Sequence, residues 1–131
     1  MPLLGFRARF GPLILDGSKR QTIRAPRKDL RPHAREGQTL YLYTGLRTKN
    51  ARKLGEACCL GVDDVRLNLQ RDSATVISVR GVMPIVGPAD LDAFAQRDGL
   101  ADWADMKAIF AELHGDMPEF NGVMIRWGEL Q

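Results

Sequence analysis

The sequence predicts an α+β fold: a small, mostly antiparallel β-barrel or curled sheet flanked by short helices. Three observations carry this. Runs of β-forming residues dominate the first two thirds of the chain, as in Thr39-Leu40-Tyr41-Leu42-Tyr43-Thr44. The two clear helical patterns follow one another near the C-terminal end. Strands and helices therefore do not alternate, which argues against a doubly wound parallel sheet. Finally, 131 residues with 44% hydrophobic content suffice for one domain, 1–131, with a core of its own.

In order, residues 3–10 alternate in part, with Leu4, Phe6, Ala8 and Phe10 against Gly5, Arg7 and Arg9, and predict a strand with one basic face. Residues 12–16 suit a short helix, with Pro12 at its start and Gly17 at its end. A brief extended piece is expected over 22–25. Residues 26–37, basic and carrying two prolines, predict a loop. A strand over 39–44 precedes a polar basic loop over 45–52. A second long strand covers 55–65 and is expected to bulge at Gly61. Leu67, Leu69 and residues 74–79 suggest a hairpin connected at 71–73. Pro88-Ala89-Asp90 opens one helix, and Trp103, Met106, Ile109, Phe110 and Leu113 recur at the spacing of another, which Gly115 stops. Residues 123–127 close the chain as a strand. No repeat or low-complexity tract is present.

Composition narrows the class. No apolar run approaches the roughly 18–20 residues of a membrane span, and charge arrives too early for a signal peptide. The expected location is the cytoplasm. Cys58 and Cys59 are the only cysteines. As strand neighbours they point to opposite faces, so neither a disulfide nor a zinc spacing is expected. The net charge of +3 conceals an asymmetry. Residues 1–53 hold thirteen basic and three acidic side chains, whereas 54–131 hold six basic and thirteen acidic. Either the basic half forms a surface for phosphates, as its clustering with turn residues favours, or the halves neutralise each other across the fold.

The segment Gly17-Ser18-Lys19-Arg20-Gln21-Thr22-Ile23-Arg24 concentrates site chemistry. A turn glycine admits a ligand close to the backbone. Lys19, Thr22 and Arg24 then offer an ammonium, a hydroxyl and a planar donor fork. Lys19 is either a phosphate or carbonyl contact, or a base if desolvated. Thr22 is either a nucleophile activated by Lys19 or a brace for the turn. Of the two strand tyrosines, Tyr43 is expected at the cleft, stacking a base, and Tyr41 on the opposite face. Lys49 follows as a phosphate contact. Asp98 is either the acid of the site or a cap for the next helix. His33 stays a weaker candidate, and His114 fits a helix C-terminus.

The order Gly17-x-Lys19-x-x-Thr22-x-Arg24 resembles the G-x-K-x-x-T-x-R signature of the ASCH domain, a branch of the PUA-like superfamily. Three further segments look similar: 43–49 (Tyr-Thr-Gly-Leu-Arg-Thr-Lys), Phe94-Ala95-x-x-Asp98-Gly99, and Phe120-x-Gly122-x-x-Ile125-x-Trp127. The resemblance covers nearly the whole chain. It implies a small PUA-like β-barrel flanked by helices, with a cleft lined by the signature. It also implies binding of RNA or nucleotides, and in some members hydrolysis, of acylated cytidines or of RNA. In the amidohydrolase branch the signature Lys and Thr act with a downstream Glu. Lys19 and Thr22 match, while Asp98 is the nearest acid where the Glu is expected.

The resulting expectation is an RNA- or nucleotide-binding domain with metal-independent hydrolytic activity on RNA. The alternatives are an amidohydrolase of acylated cytidines such as 4-acetylcytidine and a non-catalytic RNA-binding or regulatory module. The catalytic candidates are Lys19, Thr22, Tyr43, Lys49 and Asp98. The substrate-binding candidates are Arg20, Arg24, Arg27, Arg47 and Arg52. In RNA cleavage Lys19, Lys49 and Tyr43 would share removal of the 2′-hydroxyl proton and stabilisation of the phosphorane. No metal or cofactor is expected, and the partner is single-stranded RNA, a nucleoside or a nucleotide.

Overall fold

β-Forming runs and two amphipathic patterns produce seven strands and three α-helices in the computed structural model, which describes residues 2–131. In chain order these are β1 (Leu3–Phe6), α1 (Gly11–Leu15), β2 (Gln21–Arg24), β3 (Thr39–Thr44), β4 (Arg52–Asn68) and β5 (Ser73–Ser78). There follow β6 (Gly81–Val86), α2 (Pro88–Arg97), α3 (Trp103–His114) and β7 (Glu119–Trp127). Among the described residues no helix is long and apolar enough to cross a membrane.

β4 joins two groups of strands. Its first half pairs with β3, which carries β1 in parallel. Its second half lies inside an antiparallel sheet ordered β6-β5-β4-β7-β2. Serving both groups requires a bend, and the register slips where one is needed. Leu54 is skipped opposite β3, and Leu60 opposite β7 just before Gly61. Each extra residue increases the local twist.

Alternation then sorts the side chains. On β3, Leu40 and Leu42 are buried with Leu4, Ile125 and Trp127 in one core. On β4, Val65 and Leu67 meet Phe94 of α2, with Met106 and Phe110 of α3, in a second. Phe10 packs against both. The helices are fixed at their ends by local chemistry. Asp102 caps α3 by accepting from the Asp105 N–H at 2.8 Å, and Gly115 ends it at φ 80°. Asp98 is thus not the cap of that helix.

The sheet is open, so the expected closed barrel is corrected. β1 pairs only with β3, and β2 only with β7. β1 stops at Phe6 because residues 8–10 coil into a 3-10 turn that feeds α1, ending the strand expected over 3–10. Between β1 and β2 the backbone ladder is replaced by one side-chain bond, from Arg24 Nη2 to the Gly5 carbonyl at 2.6 Å. Other boundaries also shift. β4 begins at Arg52 and runs through Asn68, absorbing Leu67 from the expected hairpin. β7 starts four residues early, and β6 forms where no strand is expected.

Gly122 holds β2 against β7. A Cβ there would lie 2.6 Å from the Arg24 carbonyl oxygen and 2.6 Å from the Phe120 ring. Gly122→Ala is expected to lower stability by about 1–3 kcal/mol through overpacking, measured by urea denaturation. It is also expected to raise amide exchange in β2 more than in β5.

Candidate active site in the open seam

The seam between β1 and β2 forms a cleft of about 300 Å3. Phe6, Phe10, Ile109 and Phe110 supply its apolar walls, and Lys19, Thr22, Arg24, Asp98 and His114 its polar groups. The turn that delivers Lys19 is locally determined. Gly17 leaves α1 at φ 84°, a conformation costly for other residues. The Lys19 N–H then donates to the Leu13 carbonyl at 3.0 Å. Asp16 accepts from the Ser18 N–H at 2.8 Å, closing the turn from the other side.

Lys19 is 1% exposed, an unusual state for a lysine. Its Nζ donates to the Gln21 carbonyl at 2.8 Å and to the Asp98 carbonyl at 2.5 Å. It also lies 4.6 Å from the Phe10 ring centroid, and the Asp98 Oδ2 is 3.9 Å away. Burial pulls the Lys19 amine down to about 8, with Asp98 opposing and Arg24 and Arg9 assisting. The two carbonyls occupy two of the three directions of the amine. When Lys19 is charged, the third direction holds an N–H; when it is neutral, a lone pair.

Asp98, 6% exposed, follows α2, and Gly99 turns the chain at φ 86°. A Cβ at Gly99 would lie 2.7 Å from Lys19 Cδ, so glycine is required for both the turn and the lysine stem. Burial raises the Asp98 carboxyl to about 6 against the pull of Lys19, the Gln21 amide and Arg24. The Gln21 amide lowers it as a hydrogen-bond donor to the carboxyl, and neither Gln21 Nε2 nor Asp98 Oδ1 has another partner. Thr22, 7% exposed, lines the same cleft from β2.

Arg24 spans this cleft and a larger basic groove of about 860 Å3. Its guanidinium sits 4.9 Å from the Phe6 ring centroid, and burial lowers its pKa. Arg7, Arg27, Lys28 and Arg47 also line the groove, against the single acid Asp29. His33 lines it too and bonds the Ala25 carbonyl at 2.7 Å. The two halves of the charge asymmetry do meet, at Arg7–Glu112, Arg9–Asp105 and Lys19–Asp98. Neutralisation is therefore partial, and the groove keeps its positive excess.

Of the ten expected site residues, six line the cleft or groove: Lys19, Thr22, Asp98, Arg24, Arg27 and Arg47. Tyr43, Lys49, Arg20 and Arg52 line neither. The Arg20 guanidinium folds back over Gly17. Lys49 is exposed in a tight loop that Thr48 braces against Gly45, and Arg52 pairs opposite Thr44 at the start of β4. The expectation that Tyr41 and Tyr43 face opposite sides fails on strand geometry, since residues two apart share a face. Both are half-buried, alternating with the buried Leu40 and Leu42. Gln21, Gly99, Phe6, Phe10 and the cleft position of His114 were missed. The one available signal was the apolar spacing around Arg7 and Arg9. Among the described residues no three His, Cys, Asp or Glu side chains gather as a metal site. Compared with family models, with curated proteins and with solved structures, the chain matches none.

The buried pair makes stability depend on pH in a defined direction. Between the ordinary 3.8 and about 6, the folded state holds the extra proton on Asp98, so stability falls as pH rises. Between about 8 and the ordinary 10.5, the unfolded state holds the extra proton on Lys19, so stability rises with pH. Urea midpoints from pH 4 to 10, compared with a Lys19→Met/Asp98→Asn variant, are expected to give a U-shaped difference with its floor near pH 6–8. A flat difference would contradict the assignment.

Proposed function

We propose that this chain is an ASCH-type domain of the PUA-like superfamily that binds RNA or a nucleotide across the seam and hydrolyses an acyl group from its base at Lys19 and Thr22. The observation that carries the reading is the desolvated Lys19 amine, held on two main-chain carbonyls at a small cleft that opens through Arg24 into a basic groove. A cleft of about 300 Å3 is at the small end of ligand sites and suits one base rather than a stretch of polymer. The adjoining arginines suit the phosphates.

The chemistry follows from the amine. Neutral Lys19 takes the Thr22 hydroxyl proton as the oxygen attacks an acyl carbonyl. It returns that proton to the departing base nitrogen, and water then releases the acyl group from Thr22. Asp98 positions Lys19 through its carbonyl and offsets its charge through its carboxylate. This route uses only groups in the cleft, and favours an acylated cytosine, free or within RNA. Phosphodiester cleavage shared among Lys19, Lys49 and Tyr43 is less well supported, because the last two lie outside the cleft.

Wild type, Lys19→Met and Thr22→Val are to be incubated with single-stranded RNA and with 4-acetylcytidine, in EDTA. Both variants are expected to lose turnover by more than about 100-fold while binding changes by less than about threefold, the pattern of a group used in the transition state. Arg27→Ala/Lys28→Ala is expected to weaken RNA binding equally for all sequences and to reduce its salt slope. A wild-type protein that neither converts nor binds either compound would sink the proposal.

A further inference from the structure

Four planar rings line the cleft at the open seam: Phe6, Phe10, Phe110 and His114. Three of them are already engaged. Phe6 is buried, with the Arg24 guanidinium 4.9 Å from its centroid and Trp127 at 5.7 Å in a T-shaped contact. Phe10 has Lys19 Nζ 4.6 Å and the Arg9 guanidinium 5.2 Å from its centroid. Phe110 is buried and packs against Phe120 at 4.8 Å. A flat ligand therefore finds little free aromatic surface on these three.

His114 differs. It is half-buried at the last position of α3. Its ring stacks on Phe110, with centroids 5.7 Å apart and planes 21° from parallel, and lies 4.7 Å from Phe120. These contacts hold the ring by its faces and leave its nitrogens uncommitted. Among the described residues no group hydrogen-bonds them, whereas His33 Nε2 meets the Ala25 carbonyl at 2.7 Å. A histidine serving only the helix end would need no place in the cleft. Beside it Leu113, 50% exposed, forms an apolar shelf of the same cleft. Lys19 and Thr22 reach the cleft from the turn before β2 and from β2, and His114 reaches it from α3. A base with its acylated nitrogen at Thr22 keeps a second polar edge free for another element.

We propose that His114 is the residue that recognises the base, an inference that rests on the reading of the seam as a base-binding cleft. Its ring N–H donates to the acceptor edge of cytosine formed by N3 and O2, and the base plane rests on Leu113. The stack on Phe110 and Phe120 presets the direction of that donor. His114 sets specificity and takes no part in the acyl transfer assigned to Lys19 and Thr22.

Cytidine is the probe, titrated into protein carrying 15N-labelled histidine and followed through the His114 ring signals, assigned by their loss in His114→Phe. Ribose 5-phosphate, which lacks the base, is the control. Saturable shifts at His114 are expected with cytidine and not with ribose 5-phosphate. His114→Phe keeps the ring stack and removes the donor. It is expected to weaken cytidine binding, and to raise KM for 4-acetylcytidine, by about three- to tenfold, with kcat and the urea midpoint unchanged. His114→Gln, which keeps a donor, should bind cytidine within about twofold of wild type. A His114 ring that cytidine leaves unmoved, a His114→Phe affinity equal to wild type, or a His114→Gln affinity as weak as that of His114→Phe would overturn the proposal. Release of acetate from 4-acetylcytidine with the ring unmoved would sink this inference alone. Ring shifts with cytidine but no release of acetate would support the base contact and count against the hydrolysis.

Discussion

A lysine ammonium taken out of water is among the more costly groups a small protein can bury. Lys19 is tolerated because three things meet it: two main-chain carbonyls, the rings of Phe10 and Phe6, and the Asp98 carboxylate. Each depends on a separate piece of chain. The rings come from the turn after β1 and from β1 itself, one carbonyl comes from β2, and the other from the end of α2. The lysine therefore ties four segments together. It also explains Gly99, whose lack of a Cβ admits the lysine stem. The compensation is incomplete, which is why the amine is left easier to deprotonate than an ordinary lysine.

The open seam is the second consequence. Had β1 and β2 paired, their backbone groups would have filled the space where the cleft lies. Instead Arg24 reaches across to Gly5 and keeps the edges connected yet apart. The same side chain faces the basic groove, so the bond that braces the fold also sets charge beside the cleft. The desolvated amine, the hydroxyl and the cationic groove thus meet at one structural choice, the failure of the sheet to close at that edge.

Much of this was legible in the chain. Gly17, the helix before it, the strand at 39–44 and the bulge near Gly61 followed from local rules, because glycine conformations and period-two alternation act over a few residues. The segment from Gly17 to Arg24 supplies three side chains that line the cleft, Lys19, Thr22 and Arg24. What escaped was long-range. Nothing local distinguishes Lys19 from the solvated lysines around it, since its burial depends on Asp98-Gly99, some eighty positions away. Tyr43 and Lys49 looked like site residues because they adjoin a polar loop, yet that loop closes on itself through Thr48. β6 escaped because its alternation is masked: Val82, Met83 and Val86 are exposed along an edge, with Pro84 among them. Barrel closure likewise depends on where two distant edges end, which periodicity does not encode.

The chemistry of the seam rests on the state of one amine, and that state is directly observable. An NMR titration of the lysine side-chain Cε and Hε resonances from pH 6 to 11, with Lys19 assigned by its loss in Lys19→Met, separates it from the other lysines. The expected Lys19 midpoint is near 8. A Lys19 midpoint at or above the ordinary 10.5 would contradict it, and with it the role of Lys19 as a base in the seam.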